Sequence, residues 1–362
     1  MKVLLTAGIY PPDIGGPATF VPNLAEHLAD MGNECEIIAL KPKGFSQKPT
    51  SYKLTLITRH FLLVRFVKTT LSILSKAART ERVFSNGLFL ESAPALRILR
   101  KKSLAKIVGD PIWERERNRG TTNLSLMQFQ RAKLTLGNKV LRIAYKFALD
   151  SYSLIICPSE ELVKVVTSWG VSAPIICIPN GVDLQSPSNL DKTYDLIYVG
   201  RLVKWKNVDK VIQISAANHL KTAIIGTGPL ETELKTLSTS LNSNCSFLGE
   251  MSKDQVFQHL NYSKFFILLS QYEGLSFALL EAMSCGLPVI VSNAKGNTDV
   301  VTDSVDGLIV DLENPEFKIL ELCKILKDES RYAQMSSQAR ETIARKYESR
   351  KILNQYMNLM VD

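Results

Sequence analysis

The sequence predicts an α/β protein of two doubly wound domains, each built on a parallel sheet. Three observations carry this. The chain has 362 residues, more than twice the roughly 150 of a typical domain. Its 45% hydrophobic and 22% charged residues are the balance of a folded protein with apolar material for two cores. Both halves repeat one grammar: a buried strand, a loop rich in glycine or cations, a helix, and another strand.

Lys2 to Ala7 reads as the first buried strand. The loop Tyr10 to Pro17 follows, and Pro17 suits the first turn of a helix. Phe20, Leu24, Leu28 and Met31 recur at helical spacing, Gly32 can end that helix, and Glu36 to Leu40 is the next strand. In the second half Asp195 to Gly200 is a strand, Arg201 to Asn207 a polar loop, and Val208 to Ala217 a helix. Lys221 to Ile225 is a strand, and Gly226 to Pro229 opens a helix at Pro229. Ser252 with Gln255 has capping-box spacing. Phe265 to Leu269 is a strand, Phe277 to Cys285 a helix stopped by Gly286, and Pro288 to Ser292 another strand. The least structured stretch, Gln185 to Thr193, is the expected linker. The expected division is 1–185, 186–345, and a C-terminal helix over 346–362 crossing back to the first domain.

No apolar run approaches the roughly 18–20 residues that span a bilayer, and Met1 to Tyr10 has no signal-peptide pattern. A cytoplasmic protein is expected. Six cysteines lie scattered without a C-x-x-C pair, and four histidines form no ligand-spaced pair. Buried free thiols and no metal are the expectation. Charge is uneven: residues 1–185 hold 25 basic and 14 acidic residues (net +11), and the remainder 19 and 21 (net −2). A basic half suggests a polyanionic partner.

Several loops carry candidate chemistry. Gly15 and Gly16 precede a helix N-terminus, whose N–H groups favour anions. Arg201 and Lys206 follow a strand end, where two cations can clamp a diphosphate; solvated surface charge is the alternative. Glu273 stands in a post-strand loop, and Gly274, Leu275, Ser276 and Phe277 lead into a helix. Glu281, eight positions on, is a carboxylate among small apolar residues and needs partners such as vicinal hydroxyls or a cation.

The segment Glu273 to Glu281 resembles the E-x₇-E block of retaining glycosyltransferases of family 4. Further resemblances lie in Pro12 to Pro17, Ile178 to Asp183, Val199 to Arg201 with Lys206, Gly226 to Leu230 and Phe247 to Gly249, in family order along nearly the whole chain. The resemblance implies the GT-B architecture, two Rossmann-like domains facing a central cleft. It implies a retaining glycosyl transfer from a nucleoside-diphosphate sugar, without a protein nucleophile. Arg201 and Lys206 would neutralise the departing diphosphate, Glu281 hold the ribose hydroxyls, and Glu273 hold the transferred sugar. The backbone of Gly274 to Phe277, and Gly15 and Gly16, would assist. Gly228 would line the donor site, and Phe247 and Leu248 the nucleotide base. No D-x-D occurs, so the cations would replace a metal, and no cofactor is expected. Where many members carry a His, this chain reads Gly109-Asp110, in a Gly-Asp-Pro-x-Trp-Glu form similar to members that build bacterial surface polysaccharides. Asp110 could then contact the donor sugar or take the acceptor proton, with Trp113, Glu114 and Arg115 on the acceptor side. The rivals are an epimerase or phosphorylase of the same architecture and a non-catalytic nucleotide-sugar binder.

Arg65, Lys68, Ser72, Lys76 and Arg79 form a polar stripe beside Leu63, Val67, Leu71, Leu74 and Ala78, a basic amphipathic helix. Lys139, Arg142 and Lys146 decorate a second, whose other face holds Leu136, Val140, Ile143 and Phe147. Arg100, Lys101 and Lys102 add a third cluster. Few aromatics interleave with these bases, so nucleic acid is not expected. An anionic membrane and a lipid-linked glycan acceptor are, placing the protein peripherally at the inner face of the membrane.

Overall fold

The computed structural model describes every residue except Ile14, Gln47, Lys48, His60, 187–190, Pro315 and Asp362, and gives no side-chain placement for Glu316 and Phe317. Much of the expected linker thus lies outside the described residues. The chain forms two compact units that are not contiguous in sequence: Met1–Ile112, Met127–Pro179 and Leu353–Asp362 in the first, Trp113–Leu126 and Asn180–Ile352 in the second.

The first unit holds strands β1 (Lys2–Ala7), β2 (Glu34–Leu40), β3 (Lys53–Ile57), β4 (Arg82–Asn86), β5 (Lys102–Lys106), β6 (Leu154–Cys157) and β7 (Ile175–Cys177). Its helices are α1 (Gly16–Asp30), α2 (Leu62–Ala77), α3 (Phe89–Leu99), α4 (Pro111–Asn118), which runs on into the second unit, α5 (Leu126–Arg131), α6 (Leu136–Leu149) and α7 (Glu160–Ser168). The strands pair in parallel in the order β3-β2-β1-β4-β5-β6-β7, so the order reverses between β1 and β4. Gly87 sits at that reversal with φ +126°, and a Cβ there would lie 2.5 Å from the Gly8 nitrogen. Only glycine lets these two post-strand loops touch. Gly15 caps α1, with Pro17 in its first turn.

The connections β3-α2-β4, β4-α3-β5 and β5-α6-β6 all run in one direction across the sheet, so right-handed crossovers place α2, α3 and α6 on one sheet face. Their side chains reverse an expectation. Thr69, Ile73 and Ala77 are the buried positions of α2. The stripe Leu63, Val67 and Leu71 faces solvent at 78%, 53% and 59% exposure. Half of the basic stripe is tied down instead: Arg65 pairs with Glu91 and Lys76 with Glu36. On α6, Arg142 pairs with Asp110 and Lys146 with Asp150, and Leu136, Val140, Ile143 and Phe147 are exposed. The buried face of α2 is thus a narrow one, a single residue per turn at Thr69, Ile73 and Ala77.

Lys106, at the end of β5, is fully buried, with Nζ 3.4 Å from the Phe20 ring centroid. Burial holds its pKa well below the ordinary range. Tyr356 packs on the same Phe20 ring at 4.9 Å, so the chain's last ten residues belong to this core.

The second unit holds β8 (Tyr194–Val199), β9 (Thr222–Ile225), β10 (Cys245–Gly249), β11 (Ser263–Leu268), β12 (Val289–Ser292) and β13 (Gly307–Val310). Its helices are α8 (Val208–Ala217), α9 (Glu231–Ser240), α10 (Lys253–Asn261), α11 (Phe277–Ser284), α12 (Lys295–Thr298), α13 (Glu316–Ile325) and α14 (Glu329–Thr342), and α15 (Ser349–Val361) leads to the C-terminus. The parallel order is β10-β9-β8-β11-β12-β13, with the reversal between β8 and β11. The helix expected from Pro229 begins at Glu231, because Pro229 and Leu230 form the turn before it. The capping box of Ser252 and Gln255 is formed. No helix among the described residues is long and apolar enough to cross a membrane.

Candidate active site

Open α/β sheets bind ligands at the carboxyl ends of strands beside a topological switch. In the second unit that place is set by the loops after β8 and β11. The first, Gly200 to Asn207, carries Arg201 and Lys206; the second, Ser270 to Ser276, carries Glu273.

Backbone contacts lock these loops together. Gln271 N donates to Trp205 O at 2.8 Å, and Asn207 Nδ2 donates to Leu269 O at 2.7 Å. Asn207 adopts the left-handed conformation, which lets one residue end the loop and begin α8. Lys206 Nζ donates to Glu273 Oε1 in an ion pair. Glu273 is only 8% exposed, so the lysine is its charge partner in a largely dry setting. Arg201 is exposed, its guanidinium 5.9 Å from the Trp205 ring centroid.

Glycines bring backbones close. A Cβ on Gly228 would lie 2.3 Å from Leu202 O, and one on Gly296 would lie 2.0 Å from Glu273 O. Asn180 Nδ2 donates to Leu275 O at 2.8 Å and so pins the loop entering α11. Ser276 caps α11, accepting from Leu279 N. Glu281 stands four residues into that helix. Burial pushes its carboxyl up to about 7, against the opposing pull of Lys253. Phe247 and Leu248, half-buried, stand at the carboxyl end of the edge strand β10, next to Gly249 and separated from β8 by β9.

Two models of known families match the chain: "Glycosyltransferase Family 4" over residues 14–186 and "Glycosyl transferases group 1" over residues 183–342. Between them they take in most of its length. The chain belongs to glycosyltransferase family 4.

Among its relatives is an Escherichia coli UDP-Gal:alpha-D-GlcNAc-diphosphoundecaprenol alpha-1,3-galactosyltransferase, 28% identical over 62% of this chain and 65% of that one. Another is the Bacillus anthracis N-acetyl-alpha-D-glucosaminyl L-malate synthase, 30% identical over 46% of this chain and 45% of that one. The chain thus spans about half to two thirds of the length of these relatives. Anabaena HepE, solved with UDP and glucose, shares the fold at TM-score 0.80 and 18% identity, covering 100% of this chain and 99% of that one. The sucrose-phosphate synthase of Thermosynechococcus elongatus does so at TM-score 0.79 and 18% identity, over 99% and 98%.

The structure gathers Arg201, Lys206, Glu273 and the Gly274–Phe277 approach to α11 at one switch point of this family-4 chain. Gly15 and Gly16 lie in the first unit, at the N-terminus of α1. Asp110 is placed differently from expectation. It is fully buried; Oδ1 accepts from Ile112 N at 2.9 Å, and Oδ2 accepts from Gln130 Nε2 and Arg142 Nη2 at 2.9 and 3.0 Å. Its carboxylate ties α4, α5 and α6 together, which corrects the reading of a donor contact or proton acceptor.

Trp113, Glu114 and Arg115 group with the second unit. Trp113 is 1% exposed, with ring centroids of Trp205 and Tyr272 at 5.8 and 5.2 Å. It offers no ring face to an acceptor and instead buttresses the two loops that carry Lys206 and Glu273. Arg117 extends the buttress by donating to Gln271. Sequence reasoning missed Trp205, Tyr272, Arg117 and Asn180. Asn180 lies within the Ile178 to Asp183 motif, which does not name its partner, and the one Trp and three Arg of residues 113–119 hinted at a packed role.

Proposed function

We propose that the chain transfers a sugar from a nucleoside-diphosphate sugar to a lipid-linked glycan, retaining the anomeric configuration and needing no metal. The observation that carries this is the Lys206–Glu273 pair beside Arg201 at the switch point, with the α11 N-terminus and Glu281 behind it. The named activities of the E. coli relative and the nucleotide in the HepE structure support a UDP-sugar as the first donor to test.

The chemistry follows from charge. As the glycosidic bond to the diphosphate breaks, negative charge grows on the leaving phosphate oxygen. Fixed cations aimed at that oxygen are the largest electrostatic aid available. Arg201 supplies a fork of donors and Lys206 a point charge. Lys206 is paired with Glu273 in the free protein, so the glutamate holds the ammonium in place until the diphosphate shares it. Glu273 then accepts from hydroxyls of the transferred sugar. The N–H groups at the start of α11 favour phosphate or sugar oxygens. Glu281 accepts from the ribose hydroxyls, and the Phe247–Leu248 backbone borders the base. The leaving phosphate oxygen takes the acceptor proton, a role left open by the buried, paired Asp110.

A thermal-shift screen across nucleoside diphosphates and their sugars tests this, because a ligand that binds only the folded state raises apparent stability. At least one uridine or guanosine diphosphate sugar is expected to stabilise the wild type and not Lys206→Ala. Stabilisation by none would overturn the proposal.

A further inference from the structure

Three helices of the first unit present an outer surface that is apolar where a solvated helix layer is ordinarily polar. On α2 and the residue before it, Phe61, Leu62, Leu63, Val67 and Leu71 are 90%, 70%, 78%, 53% and 59% exposed. On α6 the stripe Leu136, Val140, Ile143 and Phe147 is exposed along the helix, one residue per turn. Ile98 of α3, the helix between them, is 67% exposed. Because α2, α3 and α6 lie on one sheet face, these outward residues share one surface. Together they expose on the order of 1,000 Å², against roughly 300–600 Å² for the largest patch on an ordinary monomer.

The charge around the patch says what covers it. Helices α2, α3 and α6 contain a single acidic residue, Glu91, and it is buried against Arg65. The exposed charges on these helices are all cations, Lys68 on α2, Arg97 on α3 and Lys139 on α6; at their margins Arg79, Arg100, Arg131 and Lys133 are exposed beside one carboxylate, Glu81, which accepts from the Lys2 backbone nitrogen. The Arg97 guanidinium lies 3.7 Å from the Phe147 ring centroid, an apolar stem along the patch with its charge at the edge. A second copy of this surface would bring cation against cation. An apolar centre collared by cations fits the acyl boundary and phosphates of an anionic bilayer.

We propose that the outer face of α2, α3 and α6 seats the protein on an anionic lipid bilayer, with the α2 and α6 stripes entering the headgroup–acyl boundary. This differs from the polar-stripe docking that the sequence suggests, since Arg65 and Lys76 point into ion pairs and apolar insertion supplies most of the hold. It extends the reading of a lipid-linked acceptor without needing it. Binding is measured without donor or acceptor, so either reading can fail alone.

The test is co-sedimentation with vesicles of phosphatidylcholine alone and of phosphatidylcholine mixed with phosphatidylglycerol, at low and high salt. Wild type is expected to bind the anionic vesicles at least about tenfold more tightly than the neutral ones at low salt, from a few cations near the surface. The quadruple variant Leu63→Gln, Leu71→Gln, Ile143→Gln, Phe147→Gln is expected to lose at least about tenfold at either salt, since affinity scales with buried apolar area. Lys68→Gln with Lys139→Gln is expected to lose only the preference for anionic lipid. Leu241→Gln with Leu320→Gln, exposed apolar positions of the second unit, serves as the control and is expected to bind as wild type. Circular dichroism and melting temperature establish that the quadruple variant is folded. Three results would each overturn the proposal: no vesicle binding by wild type, equal binding by the folded quadruple variant, or a wild-type dimer in solution that the quadruple variant splits.

Discussion

Glu281 offers the sharpest quantitative prediction. Its carboxyl is pushed from the ordinary 4.5 up to about 7 by burial. If the carboxylate accepts from both ribose hydroxyls, the donor binds the ionised form. A group titrating near 7 is about 10% ionised at pH 6 and about 90% at pH 8, so donor affinity should tighten by about tenfold across that span. Isothermal titration with UDP-glucose suits the measurement, because its diphosphate does not titrate there. Glu281→Gln should weaken binding at pH 8 and flatten the slope. The same shift has a stability consequence. The folded pKa lies above the unfolded one, so between pH 4.5 and 7 the folded state holds the extra proton and stability falls as pH rises. Above pH 7 the free protein carries a penalty of roughly 3 kcal/mol, and Glu281→Gln should recover part of it there and none at pH 4. Equal donor affinity at pH 6 and 8, or an unchanged slope in Glu281→Gln, would refute the ribose assignment.

Four further outcomes are expected. Arg201→Ala and Lys206→Ala should each reduce turnover by about 10²-fold, the scale of losing one electrostatic stabiliser, while wild-type turnover persists in excess chelator; initial-rate assays check both. Trp113→Ala should cost about 3–5 kcal/mol in denaturant unfolding and lower kcat in the folded fraction, since the cavity loosens the loops bearing Lys206 and Glu273. Asp110→Ala should cost about 3–5 kcal/mol by stranding Arg142, yet leave the pH profile of donor binding unchanged, as a merely positioning carboxylate would. Lys106→Met should raise the melting temperature at pH 7, because burial disfavours the charged ammonium and holds its pKa well below the unfolded value. Wild-type stability then rises with pH toward the unfolded value of 10.5, and the difference between the two proteins should narrow along that path.

Much of this fold was legible because its signals are local. A strand followed by glycine and proline marks the start of α1, Ser252 and Gln255 announce the cap of α10, and Gly286 stops α11. The loop residues Arg201, Lys206 and Glu273 could be placed at strand ends by the same reasoning. What they touch could not. The Lys206–Glu273 pair closes across 67 positions. The Trp113 buttress is more distant still, and nothing in its own segment names Trp205 or Tyr272. Periodicity identified the apolar faces of α2 and α6 but not their direction. Which side is buried is set by how the helix docks on the sheet and α3, and the side that docks carries Thr69, Ile73 and Ala77. Asp110 looked like a site residue because the family resemblance sets it where many members carry a His; Gln130 and Arg142, which claim it, lie 20 and 32 positions on.

The most direct test of the central claim is a transfer assay with UDP-sugars labelled in the sugar, membrane extract as the source of lipid-linked glycans, and proton NMR of the product linkage. The account predicts label in the lipid fraction with the anomeric configuration of the donor, lost in Lys206→Ala. Inverted configuration, or label that reaches the lipid fraction equally well with Lys206→Ala, would contradict it.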